Sequence, residues 1–221
     1  MDAIKARDKM IYVNDSSYVS AAKKAFLALL DSGRVPNDAT VLKEDSALIE
    51  ISDISQNDGS LDVGPRGLSY SFDLKKYYPN SPTDTKMEMT HWNGEFIRSG
   101  KVKKVIAHLR SNPSSRRAII DLWASKYSKN LDKPAVCVSQ LYFRMIDGKL
   151  DMHSHSRAND AYRLLMMDMQ VMMTIQKTVA DKLGVKPGRF VHFVDSLHLY
   201  KRDVADIKGQ QIFMAESNIW A

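Results

Sequence analysis

The sequence predicts one α/β (α+β) domain, and three observations carry that prediction. Segments with helical periodicity alternate with segments of strand character, the pattern that builds a sheet covered by helices. The chain has 221 residues, enough to bury a sizeable core in one large domain. Its composition, 44% hydrophobic and 26% charged, is globular and excludes wholesale disorder. No internal repeat or long low-complexity linker divides the chain, so residues 1–221 read as a single domain.

The elements follow in order. Residues 16–34 read as a helix, because Val19, Ala22, Phe26 and Leu29/Leu30 recur on one face. Asp15 and Ser16 offer its cap and Gly33 its stop. A strand is expected around residues 46–54, and the Pro79-Asn80 dipeptide opens a loop over residues 81–86. A second helix places Val102, Val105, Ile106 and Leu109 on one face and ends before Pro113. Residues 135–146 and 150–157 form a hairpin, since Asp147-Gly148 supplies the positive φ angles of a tight turn. Residues 161–183 are apolar nearly all round and predict a buried central helix. A short strand is expected after a turn at Pro187-Gly188.

The charge sum of 32 basic against 26 acidic residues leaves +6, with a pI near 9.2, so an anionic partner is expected. Cys137 is the single cysteine, which excludes an internal disulfide and a cysteine-rich metal site. It is then either a small core residue or a reactive thiol. Charges scattered through "MDAIKARDKMIYV" interrupt any signal-peptide core, and no apolar run is long enough to span a membrane. A reducing, cytoplasmic setting is the expectation.

Cys137 and Arg157 lie about ten residues from the Asp147-Gly148 turn on opposite arms, so the hairpin brings them together. A thiol beside a guanidinium can act as a nucleophile next to an anion-binding group. Arg116-Arg117 are either solvated or a fork for phosphate. His153 and His155 share a strand face without further ligands at useful spacing, which favours packing or a subunit interface over a metal site. Met166, Met167, Met169, Met172 and Met173 read as core filler, and no metal is expected. Asp168 is the anomaly among them, since a carboxylate in an apolar helix must be paired or protonated. The face of Lys101, Lys103, Lys104 and Arg110 reads as solvated surface, yet it keeps a non-catalytic nucleic-acid-binding alternative open.

In order, "SNPSSRR", "PAVCV", "DGKL", "SRAND" and "DSLHLY" resemble the thymidylate synthase family, over residues 102–200. From Cys137 through "DGKL" to Arg157 the family register needs no gap. "AND" and "SLHLY" look more like its deoxycytidylate hydroxymethylase branch. The resemblance implies a mixed β-sheet packed with helices, with a sheet face forming a homodimer interface. It implies a nucleotide substrate and 5,10-methylenetetrahydrofolate as one-carbon donor. Cys137 would be the nucleophile that adds to C6 of the pyrimidine. Arg157 would bind the 5′-phosphate, with Arg116 and Arg117 reaching it from the second subunit. His198 and Tyr200 would hold the sugar 3′-hydroxyl, and Asp160 would anchor the pterin ring. Where the synthases carry an asparagine that reads uracil, this chain has Asp168. A carboxyl that shares a proton accepts from cytosine N4 and bridges to N3, so a cytidine monophosphate, dCMP or CMP, is implied. The apolar surroundings of Asp168 should favour that proton. The implied product is a 5-hydroxymethyl nucleotide, with C5 methylation of dCMP or dUMP as the alternative.

The chain also departs from the family. Ala158 replaces the serine of "RS", Val138 the histidine after the cysteine, and Tyr142 a glutamine five places on. "RLLMMD" stands for "GLPFN", and the family's glutamate has no evident counterpart; Asp73 and Glu88 are the candidates. The terminal Ile219-Trp220-Ala221 is a candidate to close over the folate.

Overall fold

A computed structural model of the chain describes residues 10–52, 54, 100–123, 136–205 and 207. These residues form a mixed sheet with helices packed on one face. The strands are β1 (Ile11–Asp15), β2 (Val41–Ile51), β3 (Ile119–Asp121), β4 (Val138–Ile146), β5 (Lys149–Ser156), β6 (Asn159–Asp160) and β7 (Lys186–Tyr200). Their order is β1-β2-β7-β5-β4-β3, and β6 continues beside β7 beyond the end of β5. β1 runs parallel to β2 and β5 parallel to β7, while β2 with β7, β4 with β5, and β3 with β4 are antiparallel. The helices are α1 (Tyr18–Ser32), α2 (Lys101–Ser111) and α3 (Leu165–Leu183).

Strand alternation decides which face is covered. Ala47, Ile49 and Ile51, Leu141 and Phe143, Leu150 and Met152, and Phe190 and Val194 point into the core. Ala21, Ala25 and Leu29 of α1 and Met169, Met172, Val179 and Ala180 of α3 are buried with them in that core. The opposite face carries Leu48, Gln140, Tyr142, His153, His155, Val191 and Phe193 around a shallow groove of about 290 Å³. α3 is buried on most of its circumference, as its composition predicts.

The predicted helices and strands form among the described residues, with shifted ends, while the loop expected over residues 81–86 lies outside them. α1 is capped by Ser17, one residue beyond the expected cap, its Oγ accepting from Ser20 N at 3.4 Å. Asp15 organises that end instead, accepting from Ser17 N (2.9 Å), Ser20 Oγ (2.6 Å) and Lys24 Nζ (2.7 Å). Burial pushes the Asp15 carboxyl up, but these donors outweigh it and hold it at about 2. Gly33 does stop α1, though its φ is −60°, so it uses no left-handed turn. A Cβ there would overlap Leu29 O and sit 2.8 Å from Leu29 Cδ1, and that close approach requires glycine.

The hairpin turns where the sequence places it, with Asp147 at φ 49° and Gly148 at φ 74° between paired Ile146 and Lys149. α2 ends before Pro113 as expected. α3 starts four residues later than its apolar run, because Asp160 Oδ1 accepts from Tyr162 N (3.0 Å) and Arg163 N (2.9 Å) and holds a turn there. The segment at Pro187-Gly188 corrects the prediction: it is no turn, and β7 runs through it for 15 residues. Pro187 lies opposite Leu150, beside an irregularity between Leu150 and Met152. Asp151 accepts from Arg189 N there (2.9 Å), and a Cβ on Gly188 would collide with its carboxylate. Gln176 Nε2 donates to Leu150 O (2.7 Å) and Arg189 O (2.9 Å), satisfying carbonyls the ladder leaves open.

Candidate active site

The hairpin fixes the first pair. Val138 is paired with Ser156, and just beyond them Arg157 N donates to Cys137 O at 3.0 Å. Arg157 Nε donates to Val136 O (3.2 Å), which turns the guanidinium so that Nη2 lies 4.0 Å from Cys137 Sγ. A fixed positive charge at that distance favours the thiolate, the form that is nucleophilic. Cys137 is half-buried and Arg157 exposed, so the pair is accessible.

The chain then crosses to β7. Asn159 pairs with Leu197 and Asp160 with His198, and Ala161 N donates to His198 O at 2.9 Å. His198 Nδ1 donates to Ser196 O (3.1 Å), which fixes the orientation of the ring. Its ring meets Tyr200 edge-on at 4.8 Å, and Arg202 lies over the Tyr200 ring at 4.3 Å. Burial pushes the Tyr200 phenol up, and the Asp160 carboxylate and Cys137 add to that push while Arg202 opposes it. Tyr200 is therefore a neutral donor at neutral pH. Asp168, 5% exposed on the first turn of α3, accepts from Asn159 Nδ2 at 3.0 Å.

Six of the expected residues are thus brought to one end of the sheet: Cys137, Arg157, Asp160, Asp168, His198 and Tyr200. Arg116 and Arg117 are not. They are exposed before β3, which lies against residues 140–142 of β4, so strand rise puts them roughly 20 Å from Cys137 of the same chain. His153 and His155 lie on the open sheet face; His155 Nε2 is 2.7 Å from Asp195 Oδ2, and His153 meets the Tyr142 ring edge-on. Among the described residues no three His, Cys, Asp or Glu side chains gather as a metal site. Lys103, Lys104 and Arg110 are exposed on α2. Asp73, Glu88 and Ile219-Trp220-Ala221 lie outside the described residues. No described helix is long and apolar enough to cross a membrane.

A family model described as thymidylate synthase matches residues 59–214, most of the chain. The chain belongs to the thymidylate synthase family. The match extends well beyond the resemblance read over residues 102–200. A thymidylate synthase of Mycoplasma pneumoniae is 31% identical over 116 residues, covering 52% of this chain and 40% of that protein. One from Listeria monocytogenes is 28% identical over 106 residues, covering 48% of this chain and 33% of that protein. The aligned segments therefore span less than half the length of these relatives. The structure of thermostable thymidylate synthase A from Bacillus subtilis superposes with a TM-score of 0.62 at 15% identity. That superposition covers 88% of this chain and 84% of that one, and it shows that the mixed sheet and its helices have the family's fold.

Within that family setting, two features escaped the sequence reading. Asn159 was visible in "AND" but carried no assigned role; its amide is the partner that buried Asp168 needs. Arg163 pairs with Asp203, its Nε 2.8 Å from Oδ1, tying the turn before α3 to the segment after β7. Asp203 is fully buried, and no local pattern announces a pair 40 residues apart.

Proposed function

We propose that the protein is a folate-dependent enzyme acting at C5 of a cytidine monophosphate nucleotide, dCMP or CMP, and forming the 5-hydroxymethyl product. The observation that carries this reading is Asp168: a buried carboxyl on the same end of the sheet as the Cys137–Arg157 pair. A carboxyl sharing a proton accepts from the N4 amino group and donates to N3, the pattern complementary to cytosine and mismatched to uracil. Uniform donor–acceptor mismatch at a buried site discriminates strongly between bases.

In this reading the Cys137 thiolate adds to C6, and the Sγ–C6 bond pushes an electron pair to C5. The folate supplies a one-carbon unit at the oxidation level of formaldehyde. C5 would attack that unit as its bond to the folate nitrogen breaks, releasing tetrahydrofolate; loss of the C5 proton leaves an exocyclic methylene, water adds to it, and Cys137 is expelled from C6 as the thiolate. Arg157 binds the 5′-phosphate while favouring the thiolate, and His198 with Tyr200 holds the 3′-hydroxyl. Asp160 suits the pterin ring in one respect: Oδ1 is taken up by two backbone amides, while Oδ2 accepts from no described residue. One carboxylate oxygen is then left to accept from a ring N–H.

Arg116 and Arg117 enter from a second copy. Their distance from this chain's own thiol supports a homodimer through the open sheet face, each subunit lending its arginine pair to the other.

Incubating the protein with dCMP, CMP or dUMP plus methylenetetrahydrofolate, and identifying products by mass, tests the proposal. A hydroxymethyl product on a cytidylate is expected, and turnover of dUMP alone would remove the role of Asp168. The relatives bear the name thymidylate synthase, which favours a second reading, methylation. A methyl product on dCMP would keep the substrate and change the reaction.

A further inference from the structure

Asp203 is fully buried, and two guanidinium groups answer its charge. Arg163 Nε donates to Oδ1 at 2.8 Å, with Nη2 on the same oxygen. On the other side, Arg202 Nε lies 3.9 Å from Oδ2, within ion-pair reach. A buried carboxylate must be paired, so the place of Asp203 constrains both arginines. Each leads to a residue of the site. Arg163 N donates to Asp160 Oδ1 at 2.9 Å, and Arg202 lies over the Tyr200 ring at 4.3 Å. The β6–β7 ladder ends where Ala161 N donates to His198 O. Among the described residues, no backbone hydrogen bond joins residues 162–164 to residues 199–203. Beyond the ladder, the Arg163–Asp203 pair carries the connection between the turn before α3 and the segment after β7.

We propose that Asp203 is a positioning residue for the nucleotide: braced by Arg163 on the turn at Asp160, it holds Arg202 against Tyr200 and so fixes the tyrosine that binds the sugar. The inference rests on the sugar reading above and extends it to a residue that touches no substrate, since Asp203 has no exposed surface. Tyr200 grips a part of the nucleotide that does not react. Its hold is the same before and during the chemical step, so misplacing it weakens binding without slowing chemistry. Asp203→Asn keeps the side-chain shape and removes the charge. A neutral amide holds two guanidinium groups less tightly than a carboxylate does, and the Tyr200 ring loses its fixed cover.

The test measures kcat and KM in the wild type, Tyr200→Phe, Asp203→Asn and the double variant, for whichever of dCMP, CMP and dUMP the wild type turns over. Tyr200→Phe should raise the nucleotide KM by about tenfold, the loss of one hydrogen bond to the sugar. Asp203→Asn should raise it by a similar factor and leave kcat within about threefold. The double variant should be no worse than either single one, because a displaced tyrosine has no hydrogen bond left to lose. Arg163→Lys keeps the charge without the planar fork, and it carries the same cycle should Asp203→Asn fail to fold. Unchanged KM in Tyr200→Phe, or a wild type that turns over none of the three, would sink the sugar reading and this inference with it. A raised KM in Tyr200→Phe, with Asp203→Asn unchanged or with effects that multiply in the double variant, would overturn the role of Asp203 and leave that reading standing.

Discussion

Cys137 and Arg157 are separated by twenty residues, yet they share a backbone hydrogen bond, and the side-chain contact follows from it. Replacing Cys137 by Ala should abolish C5 tritium exchange on any nucleotide; retained exchange would remove it as nucleophile. Replacing Arg157 by Ala should slow alkylation of Cys137 at neutral pH by about tenfold, measured with iodoacetamide, because the thiolate loses its charge partner. A further residue-scale expectation concerns His192, fully buried with Nδ1 2.7 Å from Ser154 Oγ. Burial, with a smaller push from His155, lowers His192 from 6.5 to about 3. The unfolded chain therefore binds a proton below pH 6.5 that the folded chain refuses until about pH 3. The stability is intact above the unfolded value and is lost as the pH falls through this window, by about 1.4 kcal/mol per pH unit. Urea titrations from pH 7 to 4 should show that loss, and His192→Gln should flatten it.

At the scale of elements, legibility depended on whether the governing chemistry was local. The hairpin was readable because Asp147-Gly148 alone demands two positive φ angles, and counting back from it pairs Cys137 with Arg157. Pro187-Gly188 carries the same turn vocabulary and misled, because its cause is remote. Asp151 and Gln176 pack against that stretch of β7, and only glycine leaves room for the Asp151 carboxylate. The start of α3 was misjudged for a similar reason: the apolar run reaches Ala161, but Asp160 captures the next amides for a turn. These causes predict different penalties. Gly148→Ala should cost about 1 kcal/mol from strain at positive φ, with the site untouched. Gly188→Ala should cost about 2 kcal/mol or more, since the clash is with a buried charged group bonded to Arg189. Thermal or urea unfolding of the two variants checks the order.

Across the whole molecule, the motifs group residues into one site, and the family resemblance implies that a second chain completes it. Residues gathered at the end of β5, β6 and β7 were legible as motifs, and the fold brings them to that one end. Arg116 and Arg117 read as members of the same phosphate site, and the fold places them far from it on the same chain. Subunit mixing decides what that separation means. Cys137→Ala and Arg116→Ala/Arg117→Ala should each be inactive alone. Mixed after reversible dissociation, they should recover about a quarter of wild-type activity, because half the dimers would carry one intact site. No recovery would leave the arginines without a role in the site.

The central claim is that Asp168 makes this thymidylate synthase fold read cytosine. Wild type and Asp168→Asn, each offered equal dCMP and dUMP in one reaction with methylenetetrahydrofolate, test it most directly. The wild type should consume dCMP first, and the variant should shift the ratio toward dUMP by about a hundredfold or more. Equal ratios in the two proteins, or a wild type that consumes only dUMP, would contradict the claim.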